Sequence, residues 1–139
     1  TSKDIVWDQS IREAAKPLLR DNVVEKKYVQ KMIDNVLELG PYIVIAPKIA
    51  LAHARPEDGV NEIGLSLLVS EKPIEFSNDK QHTANLVFCL AATDSTSHLS
   101  LLSDLAQIFG EQSNIDNLCK LKSKEEVLHF ISHCLGGVL

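Results

Sequence analysis

The stretch NLVFCLAA, from Asn85 to Ala92, opens on one polar side chain and then runs apolar without interruption. A strand with one wet face alternates apolar and polar residues, so a run that does not alternate needs cover on both faces. Helices are therefore required on both sides of whatever sheet contains it. The chain supplies them at its two ends. Asp8 is a plausible N-cap for a first helix carrying Ile11, Ala14, Ala15, Leu18 and Leu19, with Pro17 expected to kink it or shift its start. From about Glu25 a second helix carries Tyr28, Val29, Met32, Ile33, Val36 and Leu37 on one face and stops at Gly40-Pro41.

The middle of the chain reads as strands. YIVIA (Tyr42 to Ala46) is a short β-branched run expected to be buried, and a second apolar segment leads into His53. IGLSLLV (Ile63 to Val69) alternates at its start, and PIEF (Pro73 to Phe76) is an edge candidate. After the Asn85–Ala92 run, Asp94 to Ser97 offer capping residues for a helix with Leu99, Leu102, Ala106 and Phe109 inward and Gly110 as its stop. SNIDNL is a short helix candidate. Ser123 and Glu126 form a capping box that starts a last helix through Val127, Leu128, Phe130 and Ile131. The expected fold is α/β, a mixed parallel and antiparallel sheet of about five strands with helices on both faces.

Composition narrows the class of function. With 139 residues and no repeat or linker, residues 1–139 read as one domain. No apolar run reaches the length of a membrane span, and TSKDIVWDQS lacks the pattern of a signal peptide, so a cytoplasmic protein without membrane insertion is expected. A net charge of −5 without a basic cluster argues against nucleic acid as a partner. Cys89, Cys119 and Cys134 form no CxxC pair and read as small hydrophobes.

The histidines carry the remaining chemistry. His82 lies in the polar stretch SNDKQHTAN and reads as a solvated loop residue. His129 and His133 stand four apart, a spacing that could present two imidazoles to a metal, but no HExxH glutamate accompanies them and a half-exposed helix edge is the simpler reading. His53, in IALAHARPEDGV, differs in its flanks. Alanines leave its ring accessible, Pro56 stiffens the exit, and Lys48 and Arg55 bring positive charge. A neutral imidazole is a nucleophile at cellular pH and could accept a phosphoryl group. The local chemistry equally allows a loop histidine making one backbone hydrogen bond. His98 sits at an expected helix N-terminus, where anions are stabilised, past the carboxyl end of a strand. Unless it neighbours His53, it is simply a residue of a capping segment.

GPYIVIAPKIALAHARPEDGV, GLSLLVSEKPIEFSND and LVFCLAATDSTSHLSLL together resemble the enzyme IIA components of the phosphoenolpyruvate-dependent sugar phosphotransferase system, in the mannitol/fructose group. The GPYIVIAP and HARPEDGV blocks look most like the ascorbate type, and the resemblance runs from about Trp7 to Phe130. It implies a single type-2 IIA domain and a cytoplasmic phosphocarrier with no cofactor and no metal. His53 would take a phosphoryl group from phospho-HPr and pass it to a cysteine of the cognate IIB protein, coupled through the membrane IIC component to uptake of a sugar, L-ascorbate by resemblance. His98 would help hold the phosphoryl group; Arg55 and Lys48, by their charge and not by the resemblance, are further candidates for stabilising it. The alternative within the same resemblance is a regulatory module, of the nitrogen type or from a transcription antiterminator, phosphorylated on the same histidine. Two positions depart from the family pattern: Ala52 stands where proline usually precedes the histidine, and Lys48 where glycine is common. A lysine there implies a backbone without positive φ.

Overall fold

A computed structural model describes residues 6–46, 48–77, 82–111, 113, 114, 117 and 123–134, and it places the Asn85–Ala92 run inside a mixed sheet. In chain order the elements are α1 (Trp7–Arg20), α2 (Lys26–Leu39), β1 (Val44–Ala46), β2 (Lys48–Ala52), β3 (Gly64–Glu75), β4 (Thr83–Ala91), α3 (Ser95–Gly110) and α4 (Lys124–Cys134). The strand order is β1-β2-β4-β3. β2 and β4 are parallel, and each pairs antiparallel with its outer neighbour.

Side-chain alternation explains the unbroken apolar run. Val87, Cys89 and Ala91 of β4, with Ala50 and Ala52 of β2, face α1 and α2. Leu86, Phe88 and Leu90, with Ile49 and Leu51, face α3 and α4. The first face is lined largely by small residues, and Ala14 and Ala15 of α1 meet it fully buried. There the buried Ser66 hydroxyl of β3 donates to the Ala14 carbonyl, which satisfies a polar group in that core. The opposite face is filled by larger side chains, with the Phe88 and Phe109 rings 5.2 Å apart.

The two strands expected at IGLSLLV and PIEF are joined as β3, whose register with β4 breaks between Val69 and Ile74. Counting the two pairing segments separately recovers the expected five; Pro73 is tolerated because β3 is an edge strand. Several details differ from the sequence reading. Asp8 lies in the first turn of α1 rather than at its cap, and the helix continues through Pro17 in its last turn. YIVIA contributes only a three-residue edge strand whose Ile45 is exposed. Leu37 is 69% exposed, so the apolar face of α2 is narrower than its spacing suggested. The inward face of α3 is Leu101, Leu105, Ile108 and Phe109, while Leu99 and Ala106 point outward. That helix has apolar residues on several sides, and only packing chose among them. Asp94 does cap α3, accepting from the Ser97 amide at 2.8 Å, and Ser123 accepts from the Glu126 amide at the start of α4. Of the SNIDNL helix candidate, residues 115, 116 and 118 lie outside the described residues.

Lys48 has φ 70°, so the expectation of a backbone without positive φ is overturned. The direction change from β1 into β2 requires the left-handed conformation, which disfavours any side chain with a Cβ by about 1–2 kcal/mol. Lys48→Gly is therefore expected to stabilise the protein by roughly 0.5–1 kcal/mol, after the entropy of a freer unfolded chain is subtracted. A urea titration reads this as a higher midpoint at unchanged slope; an unmoved midpoint would show that Lys48 carries no strain.

Candidate active site

Because β2 and β4 are parallel, their carboxyl ends emerge at the same edge of the sheet. Ala52 is opposite Cys89, so His53 leaves β2 beside the last residues of β4, and the chain after β4 turns directly into α3. His53 and His98 are thereby brought together across forty-odd residues of chain: their ring centroids are 5.7 Å apart at 50°. Both line a cleft of about 520 Å³ with Arg55, Glu57 and Asp58 from the turn after β2 and Lys31, Asn35, Glu38 and Leu39 from α2.

His53 is half-buried, and its Nδ1 lies 2.8 Å from its near neighbour, the Leu51 carbonyl. A carbonyl only accepts, so Nδ1 carries the proton and Nε2 is left with the lone pair. Burial holds the imidazole below its ordinary pKa; the Leu51 carbonyl acts in the opposite direction, and the second imidazole adds to the lowering. The ring is thus a neutral, oriented base near pH 7. His98 is also held below the ordinary imidazole value by burial, with Glu57 acting the other way. Its Nδ1 is buried without a hydrogen-bond partner among the described residues, an uncommon condition for a polar atom in a folded protein.

The turn that carries Arg55 is built by its own residues. Pro56–Asp58 form one 3₁₀ turn, the Asp58 carboxylate accepts from the Arg55 amide at 3.0 Å, and Gly59 closes it at φ 131°. A Cβ at Gly59 would meet Lys27 Cγ at 3.1 Å and Tyr28 Cβ at 3.3 Å, so glycine allows the turn to lie against α2. Arg55 is exposed and lines the cleft.

Lys48 is not part of this arrangement. It begins β2, so it stands about 16 Å from His53 along the strand, and it does not line the cleft. Nor are all the first-turn amides of α3 free, since Ser97 and His98 already donate to Asp94. His82 is not simply solvated: its Nδ1 lies 2.8 Å from the Ser77 hydroxyl, and its carbonyl accepts from Phe76. His129 and His133 are exposed on α4. Cys89 is buried, with its thiol pushed up to about 12, and behaves as a core residue. Cys119 and the side chain of Cys134 lie outside the described residues.

Two tyrosines contact the His53 loop, one from the cleft and one from behind it, although the sequence placed them only in a strand and a helix face. Tyr42 meets the His53 ring edge-on at 5.4 Å, and its hydroxyl reaches the His53 carbonyl at 3.4 Å. Tyr28 is buried behind the loop and bonds its backbone. Its signal was available in principle, because a fully buried tyrosine requires a partner for its hydroxyl.

Residues 3–134 match the family described as "Phosphoenolpyruvate-dependent sugar phosphotransferase system, EIIA 2". The chain belongs to this enzyme IIA family. The ascorbate-specific PTS system EIIA component of Escherichia coli K12 is 34% identical over 126 residues, which span 90% of this chain and 82% of that one. Among solved structures, the mannitol-specific cryptic phosphotransferase enzyme IIA CmtB from Escherichia coli has a TM-score of 0.81 at 30% identity, covering 95% of this chain and 88% of the other. The Escherichia coli mannitol IIA, solved in complex with phosphorylated mannitol IIB, has a TM-score of 0.77 at 25% identity, covering 95% and 92%. No helix among the described residues is long and apolar enough to cross a membrane.

Proposed function

We propose that this IIA protein is a phosphocarrier that accepts a phosphoryl group on His53 Nε2 from phospho-HPr and delivers it to the cysteine of a cognate IIB protein. The observation that carries this reading is the pair of imidazoles in one cleft, the first with Nδ1 bonded to its own backbone and the second with a buried nitrogen lacking a partner. In the first step the N–P bond of the donor breaks, its electron pair stays on the donor ring, and Nε2 forms the new N–P bond. In the second step a cysteine sulfur takes the phosphoryl group and His53 recovers its lone pair. The transition state is loose, with charge on the equatorial oxygens, so orientation and electrostatics supply most of the acceleration. Phosphoryl oxygens on His53 would give the orphaned nitrogen of His98 a partner, once that nitrogen is protonated, and bring them within reach of Arg55. Exposed Leu39 and Leu99 beside the cleft suit a transient apolar docking surface, from which each partner must be released. The ascorbate-specific relative favours L-ascorbate as the sugar taken up through the associated IIB and membrane IIC components, and a cytoplasmic location follows from that role.

The protein mixed with phosphoenolpyruvate, enzyme I and HPr is expected to gain one acid-labile phosphoryl group by intact mass, attached at Nε2 by NMR of the imidazole nitrogens. His98→Ala is expected to retain the acceptor and slow transfer by about 10- to 100-fold, the loss typical of one oriented stabilising group. Unchanged rates toward both partners would remove His98 from the site.

A further inference from the structure

We infer that Tyr28 is a positioning residue for His53, setting the loop geometry on which the phosphoryl transfer proposed above depends. Tyr28 is on α2, fully buried, and does not line the cleft. Its hydroxyl accepts the amide of Ala54, the residue immediately after His53, at 3.0 Å. The same hydroxyl donates to the Leu90 carbonyl at 2.6 Å. Leu90 lies near the end of β4, four residues before the Asp94 cap of the helix that carries His98. One side-chain oxygen thus joins the backbone leaving His53 to the strand that leads to His98.

The arrangement is demanding of its residue type. Only a group that accepts and donates from one atom can serve both Ala54 and Leu90, and an aromatic ring is needed to carry that atom from the helix axis across the core. Burial raises the phenol pKa, so the hydroxyl keeps the proton it donates. The exposed turn beyond Ala54 has its own internal bonds, through Asp58, but these do not reach the sheet. Positioning to within a fraction of an ångström matters for an in-line transfer, where a misplacement of about 1 Å can cost 100-fold in rate.

Tyr28→Phe keeps the ring and removes every hydrogen bond of the hydroxyl, to the amide and carbonyl of Ala54 and to the Leu90 carbonyl. The expected result is a fall in the rate constant of transfer from phospho-HPr by about 10-fold with an unchanged KM, since Tyr28 touches no partner, together with a shift of the His53 imidazole nitrogen resonances. Ile131→Val, in the core on the far side of the sheet, is the comparison for lost stability alone and is expected to transfer at the wild-type rate. Wild-type kinetics in Tyr28→Phe, or an equal loss in Ile131→Val, would overturn the inference. Amide exchange in the wild-type protein tests it without any variant. Ala54 N–H is expected to exchange with the protection of the sheet core, and exchange at the rate of an open loop would show that the hydroxyl does not hold it. Absence of phosphoryl uptake by the wild-type protein would overturn the function proposed for the cleft and this inference with it; uptake undiminished in Tyr28→Phe would overturn the inference alone.

Discussion

His53→Ala is expected to gain no phosphoryl group under conditions that load the wild-type protein, a loss of roughly 10³-fold or more in transfer rate, because among the described residues lining the cleft His53 is the imidazole whose ring is oriented by a backbone hydrogen bond. The fold should survive: among the described residues the half-buried ring makes one hydrogen bond, to Leu51, whose removal costs about 1 kcal/mol. Intact mass and circular dichroism on the same sample separate these outcomes, and a phosphorylated, folded His53→Ala protein would place the acceptor elsewhere. The pH dependence follows from the lowered imidazole pKa, caused first by burial. The neutral nucleophile persists below the ordinary value of about 6.5, so transfer by the wild-type protein should be maintained to lower pH than free imidazole would allow. In the same window the unfolded chain binds protons that the folded site refuses. The stability contributed by neutral His53 is therefore present above about pH 6.5 and is lost as pH falls through the lowered folded value. Part of that acid-side decline should disappear in His53→Ala, as read by urea midpoints measured between neutral and mildly acid pH.

The largest effect on stability is expected at Phe88. It is fully buried in β4, opposite Leu51 of β2 and Leu67 of β3, and its ring packs on Phe109 of α3. Phe88→Ala removes that contact and leaves a cavity between sheet and helix, a combination that costs about 3–5 kcal/mol. A domain of ordinary stability has only about 5–15 kcal/mol in total, so thermal unfolding should move down steeply or the protein should fail to accumulate. Ile45→Ala, on the exposed edge strand β1, is expected to change stability by about 0.5 kcal/mol or less. Similar melting temperatures for the two variants would mean that the packing of α3 on the sheet contributes far less than its burial indicates. Since α3 carries His98, a weakened contact at Phe88 should also slow transfer in any protein that remains folded.

Local patterns carried much of the fold. The Tyr28–Val36 face, the Gly40 stop, the Asp94 cap and the Ser123 start depend on residues within a turn or two of one another, and each appears where its chemistry places it. The continuous Leu86–Ala92 run implied cover on both faces, and both faces are covered. His53 stood out because a nucleophile between small residues in a stiffened turn is unusual in the chain itself, and the resemblance named the family to which the chain belongs. What failed locally has a common cause. Leu99 was indistinguishable from Leu101 and Leu105 as an inward residue, because periodicity gives a face only when the other sides of the helix are polar. Lys48 looked like charge near the site, but a side chain five residues back along an extended strand is at the other end of it.

The sequence alone determined which segments form helices and strands, and that one histidine was chemically conspicuous. Tertiary structure decided that β2 and β4 run parallel and adjacent, and this pairing turned His53 and His98 from two separated residues into one cleft. It also converted Tyr28 from a helix-face aromatic into the hydrogen-bonding link between the His53 loop and β4. Strand pairing and the partner of a buried hydroxyl are relations between distant parts of the chain, formed only when the core closes, and no local period encodes them.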